Sequence, residues 1–108
     1  MSTPRSTIAL VRTTFGDRDT AERVARTVID ERLAACATLD AVRSIYRWHG
    51  AIEENDEVAV LFKTAVHDAF ALHARIVELH DYDLPVIEYW TVGTDAPAMD
   101  WVYDATSE

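Results

Sequence analysis

The chain has 108 residues, nearly half of them hydrophobic, and a formal net charge of −9; that length makes one domain, residues 1–108, and excludes a second. No apolar run approaches the roughly 18 residues of a membrane span, and singly scattered Lys and Arg on an acidic chain oppose a phosphate backbone, so neither membrane nor nucleic acid is expected as a partner. A lone cysteine, Cys36, excludes an intramolecular disulfide and any zinc site built from thiolates alone.

Residues 1–6 read as a loose tail without the apolar core of a signal peptide, and a cytoplasmic location is expected. Thr7 to Thr14 alternates Ile8 and Leu10 against Ala9 and Val11, a first strand. Phe15 to Asp19 is a turn. Asp19 with Glu22 three residues on has the form of a capping box, and Ala21, Val24, Ala25, Val28, Ile29 and Leu33 follow at helical spacing, which predicts a first helix ending near Leu33.

Ala34 to Leu39 leads into a long β-hairpin. On its first arm Val42, Ser44, Tyr46 and Trp48 share one face, with Arg43, Ile45 and Arg47 on the other. Gly50 signals the turn, the acidic patch Glu53, Glu54, Asp56 and Glu57 follows, and Val58 to Phe62 is a strand that is apolar on both faces. Ala69, Leu72, Ile76 and Leu79 form one stripe of a second helix, flanked by Phe70 and Val77. His80 to Pro85 breaks it, since Pro85 disfavours helix at the residue before. Val86 to Val92 is β-branched and aromatic, a fourth strand, and Gly93-Thr94-Asp95 caps a last short helix that tolerates Pro97 in its first turn.

The order β-α-β-β-α-β with a terminal helix predicts an α+β, ferredoxin-like antiparallel sheet with both crossover helices on one side. Strands one, three and four are nonetheless apolar on both faces, and Tyr46, Trp48, Tyr89 and Trp90 add large side chains. The uncovered face is therefore expected to be buried by another subunit.

Four segments, Val28 to Leu39, Ser44 to Glu54, Lys63-Thr64 and the His80-x-Tyr82-x-x-Pro85 element, closely resemble the CutA divalent-cation tolerance family in the same order and spacing. The resemblance implies a homotrimer with a ferredoxin-like fold, binding of copper-type divalent ions, and no established reaction. By that resemblance Cys36 and His80 are metal ligands, and Trp48, Lys63 and Tyr82 line a cleft between subunits; the chain's own Asp81 and Asp83 add candidate carboxylate ligands beside His80. The chain departs from the family pattern in three places: Asp81 stands where proline is usual, and His49 and Val86 stand where glutamate is usual. Glu88, two residues beyond Val86 on the same strand face, is the expected replacement.

The residues themselves add chemistry to this reading. An imidazole and two carboxylates in one short loop suit borderline divalent ions such as copper or zinc, and a thiolate suits the softer ones. His73 shares a helical face with His80 but lies about 10 Å away, too far to share an ion. Lys63 ends an apolar strand, where its ammonium either meets an anion or snorkels into solvent. A Gly-x-Ser-x-Gly elbow and glycine-rich phosphate loops are absent, so no enzyme and no organic cofactor are expected. The alternative function is a trimeric, PII-like sensor of a small anionic metabolite or nucleotide anchored by Lys63 and Arg47; a hydrolase or isomerase working between subunits is a more distant one.

Overall fold

His49 and Gly50 both hold positive φ, 49° and 82°, and between the paired residues Trp48 and Ala51 they make the two-residue turn whose twist suits a hairpin. That turn joins the two longest strands of the computed structural model, which describes residues 5–108. The elements are β1 (Thr7–Phe15), α1 (Arg18–Asp30), β2 (Cys36–Trp48), β3 (Ala51–Thr64), α2 (Ala69–Leu79), β4 (Glu88–Gly93) and α3 (Ala96–Thr106), with a 3-10 turn at Val66–Asp68. The sheet is antiparallel, in the order β2-β3-β1-β4. The order of elements is the ferredoxin-like one expected.

Register assigns the two faces. Val11 opposes Phe62, Phe15 opposes Val58, and Ala37 opposes Phe62 from the other side. These residues face α1 and α2 and form the main core with Val24, Val28, Leu72 and Ile76. Ile8 points the opposite way and is buried at the end where α3 lies against β1 and β3, as is Val102 of α3. Beyond that end the second face is uncovered. It carries Leu10, Leu61, Trp90, Tyr46 and Trp48, and Trp90 is 43% exposed.

Several boundaries differ from expectation for local reasons. The cap of α1 is Asp17, not Asp19: its carboxylate accepts the Thr20 N–H at 2.8 Å and the Thr20 hydroxyl at 3.0 Å. The helix ends at Asp30 because Arg32 turns left-handed (φ 61°) and the Leu33 N–H reaches back to the Val28 carbonyl at 2.9 Å. That is a Schellman stop, with Leu33 as its apolar contact, so Leu33 belongs to the stop and not to the helix. The acidic run Glu53–Glu57 is strand, with Arg43 bonded to Asp56 and Glu54 on the helix side. β4 starts at Glu88, two residues late, because the Val86 carbonyl is taken by the Thr13 hydroxyl at 2.8 Å. Of the expected tail, residues 1–4 lie outside the described residues, and the Ser6 carbonyl accepts the Thr94 N–H at 2.9 Å. Among the described residues no helix is long and apolar enough to cross a membrane.

Thr64 closes β3 from a fully buried position, and its hydroxyl donates to the Leu33 carbonyl at 2.8 Å. Thr64→Val keeps the shape and removes the bond, at a cost of about 1 kcal/mol. The melting temperature should fall by roughly 4–8 °C; an unchanged melt would show that the Leu33 carbonyl finds another donor.

Candidate functional site

The residue that shapes the open face is His80, the first after α2. Its side chain is fully buried, stacked on Phe15 with ring centroids 4.3 Å apart and planes 13° from parallel. Nδ1 accepts the Tyr82 backbone N–H at 3.1 Å. A nitrogen that accepts leaves the other to carry the proton, so Nε2 donates to the Thr14 carbonyl at 2.9 Å. Both nitrogens are thus engaged, and an incoming ion would have to displace the Tyr82 amide.

These bonds aim the loop that follows. The Tyr82 hydroxyl donates to Glu57 Oε2 at 2.7 Å. Gly16 makes room for it: a Cβ there would lie 3.3 Å from the phenol oxygen. Thr13, through Val86, holds the far end of the loop. Between this loop and the open face of β1, β2 and β3 lies a cleft of about 740 Å³. Aromatic walls come from Tyr46, Trp48 and Tyr82, and carboxylates from Glu57, Asp81, Asp83 and Glu88.

Charge in the cleft is unbalanced. Its arginines are Arg12, which pairs with Glu88 at 3.6 Å, and Arg47, which is bonded to the Gly50 carbonyl at the hairpin turn. Burial works to raise the Glu57 carboxyl, but hydrogen bonding from Ser44, Tyr82 and Thr14 outweighs it and holds the group below the ordinary glutamate range. Burial, then the bond to Glu57, holds the Tyr82 phenol above its ordinary range. Tyr82 therefore stays a donor and Glu57 an ionised acceptor.

The expected site residues separate into two groups. Trp48, Tyr82, Glu88, Asp81 and Asp83 share the cleft, and His80 lies beneath it. Cys36 and Lys63 oppose each other across β2 and β3, on the same face but elsewhere. Thr14, which holds His80, opposes Ala59, four residues from Lys63, which puts Cys36 about 13 Å away along the strands alone. Cys36 and His80 thus do not meet within one subunit, and Lys63 does not line the cleft of its own subunit. Among the described residues no three His, Cys, Asp or Glu side chains converge as a metal site would require. Sequence reasoning missed Glu57 and Arg12. Glu57 was masked by the acidic run, yet alternation along β3 places Glu53 and Glu57 on the open face and Glu54 and Asp56 on the other.

Comparison with known proteins places this arrangement. The family described as CutA1 divalent ion tolerance protein matches residues 9–105. The chain belongs to that family. It is similar to the divalent-cation tolerance protein CutA of Pyrococcus horikoshii, 47% identical over 78 residues that span 72% of this chain and 76% of the relative. It is also similar to that of Thermus thermophilus, 33% identical over 95 residues, 86% and 92% of the two chains. The crystal structure of CutA1 from Pyrococcus horikoshii superposes with a TM-score of 0.89 at 39% identity, covering 93% of this chain and 99% of that one.

The hydroxyl-to-carboxylate contact makes a pH prediction. Glu57 has a lower pKa folded than unfolded, so its stabilisation is fully present above about pH 4.3, the unperturbed value, and is lost as the pH falls through the lower folded one. Tyr82→Phe removes one donor to that carboxylate. Its melting temperature should start lower at pH 7 and fall less steeply in acid than the parent's. Parallel curves from pH 6 to pH 2 would show that Tyr82 does not keep Glu57 ionised.

Proposed function

We propose that this chain contributes to divalent-cation tolerance by binding copper- or zinc-type ions as a homotrimer, without catalysing a reaction. The observation that carries the reading is the cleft: carboxylates of Glu57, Asp81 and Asp83 that, among the described residues, no lysine or arginine side chain pairs with, on a sheet face that the chain's own helices leave largely uncovered. One subunit presents carboxylates but not a converged set, so a neighbour completes the coordination. Asp81 and Asp83 are the donors nearest solvent. Cys36, on the same open face, is available to a neighbour and not to its own subunit's His80. The family names of the relatives support cation tolerance, and the trimeric order rests on the resemblance to CutA.

The anionic-metabolite alternative fares less well on geometry. Arg47 opposes Ile52, eleven residues along β3 from Lys63, a separation of roughly 35 Å. The two cations cannot grip one small anion within a subunit, and the cleft beside Arg47 is acidic.

Two measurements test the proposal. Sedimentation equilibrium at micromolar concentration should give a trimer, and Trp90→Asp, on the open face but outside the cleft, should dissociate it, because burying an unpaired carboxylate costs several kcal/mol. Zinc and copper(II) titrations of the trimer should show saturable binding that the double change Asp81→Asn with Asp83→Asn weakens about tenfold or more. A stable monomer at high concentration, or no saturable binding, would end the proposal.

A further inference from the structure

β4 stops one rung short of what its register allows. Its pairing with β1 runs from Thr7 opposite Gly93 to Arg12 opposite Glu88, and the Thr94 N–H donates to the Ser6 carbonyl at 2.9 Å, which makes Ser6 and Thr94 a hydrogen-bonded pair of the same register. Antiparallel pairs alternate between bonded and non-bonded. Ile8 with Val92, Leu10 with Trp90 and Arg12 with Glu88 are therefore the bonded pairs, and Thr14 with Val86 would be the next. Val86 and Ile87 are β-branched and suit a strand. Among the described residues, however, no backbone bond joins Thr14 to Val86.

Pro85 does not account for the stop. A proline harms a strand where its missing N–H would have joined the ladder, whereas Pro85, opposite Phe15, would fall in a non-bonded pair whose N–H points away from β1. Side chains instead take both carbonyls of the missing rung. The Val86 carbonyl accepts the Thr13 hydroxyl at 2.8 Å, and the Thr14 carbonyl accepts His80 Nε2 at 2.9 Å. Thr13 is buried opposite Val60, on the side of the sheet that α1 and α2 cover, so these contacts do not depend on what covers the open face. The same hydroxyl lies 3.5 Å from His80 Nε2. One buried group thus touches both ends of the loop from Asp81 to Pro85.

We infer that Thr13 is a positioning residue: by capturing the Val86 carbonyl it keeps the last rung between β1 and β4 open, and so sets where the loop carrying Asp81 and Asp83 leaves the sheet. Closing the rung would draw Val86 against Thr14 and shorten the span left to the loop, which moves both carboxylates. The consequence for an ion rests on the proposed function; the open rung does not.

The test is through-hydrogen-bond nitrogen–carbonyl coupling in the full chain, measured on the parent, Thr13→Ser and Thr13→Val, with a zinc titration of each. Thr13→Val keeps the shape and removes the hydroxyl, so a coupling from the Thr14 nitrogen to the Val86 carbonyl carbon should appear. The Thr14 amide should exchange about five- to tenfold more slowly, and zinc should bind more weakly by a similar factor. Thr13→Ser keeps the hydroxyl and should match the parent in all three respects. A melting curve confirms that each variant is folded at the temperature of measurement. A Thr14–Val86 coupling in the parent overturns the inference without any variant. So does a folded Thr13→Val that leaves the rung open, or one that closes it and binds zinc as the parent does. If the parent itself binds no zinc, the proposed function fails, and the coupling alone decides whether Thr13 holds the rung open.

Discussion

The buried ring of His80 holds the loop that makes the cleft. It stands where α2 ends, so whatever fixes the ring fixes the direction in which the chain leaves the helix. The stack on Phe15, the bond to the Thr14 carbonyl and the bond from the Tyr82 amide fix it from three directions. Each hydrogen bond contributes about 1 kcal/mol net, and the stack on the order of 1 kcal/mol beyond its burial. The loop beyond, Asp81 to Leu84, is exposed and buries too little to order itself. Its order is borrowed from β1 through His80 and Thr13 and from β3 through Glu57.

Much of the fold follows from periodicity. Alternation over Val42 to Trp48, the Gly50 turn, the stripe Ala69, Leu72, Ile76 and the break before Pro85 place the hairpin, α2 and the loop where they stand. The errors come from interactions between residues that periodicity does not see. The stop of α1 depends on one left-handed residue, Arg32, and on a bond back to Val28. The start of β4 depends on Thr13, 73 positions away. The histidine at position 80 was legible as a motif residue, but its chemistry was not: whether its nitrogens are free depends on a carbonyl of β1 and an amide two residues on. Glu57 lay in view within an acidic run, and its role needed the register that puts it on the open face beneath Tyr82.

Faces and charge together connect the structure to its family. α1 and α2 cover one side of the sheet and α3 only one end of the other, leaving Trp90, Tyr46 and Trp48 partly exposed on the face that carries Glu57, which among the described residues no lysine or arginine pairs with. An apolar surface next to unbalanced negative charge favours both association and capture of a cation. Asp81 fits this arrangement. The His80 and Tyr82 contacts hold the backbone on either side of it, and it adds a carboxylate to the lining of the cleft.

His80 orients the cleft with both ring nitrogens engaged by backbone groups. Long-range nitrogen–proton correlation spectra of the chain labelled with nitrogen-15 histidine report the state of each ring nitrogen directly. His80 should show a protonated Nε2 and an unprotonated, hydrogen-bonded Nδ1, unchanged when zinc is added to saturation. A proton on Nδ1 without zinc, or a zinc-induced shift of either His80 nitrogen characteristic of coordination, would contradict the account.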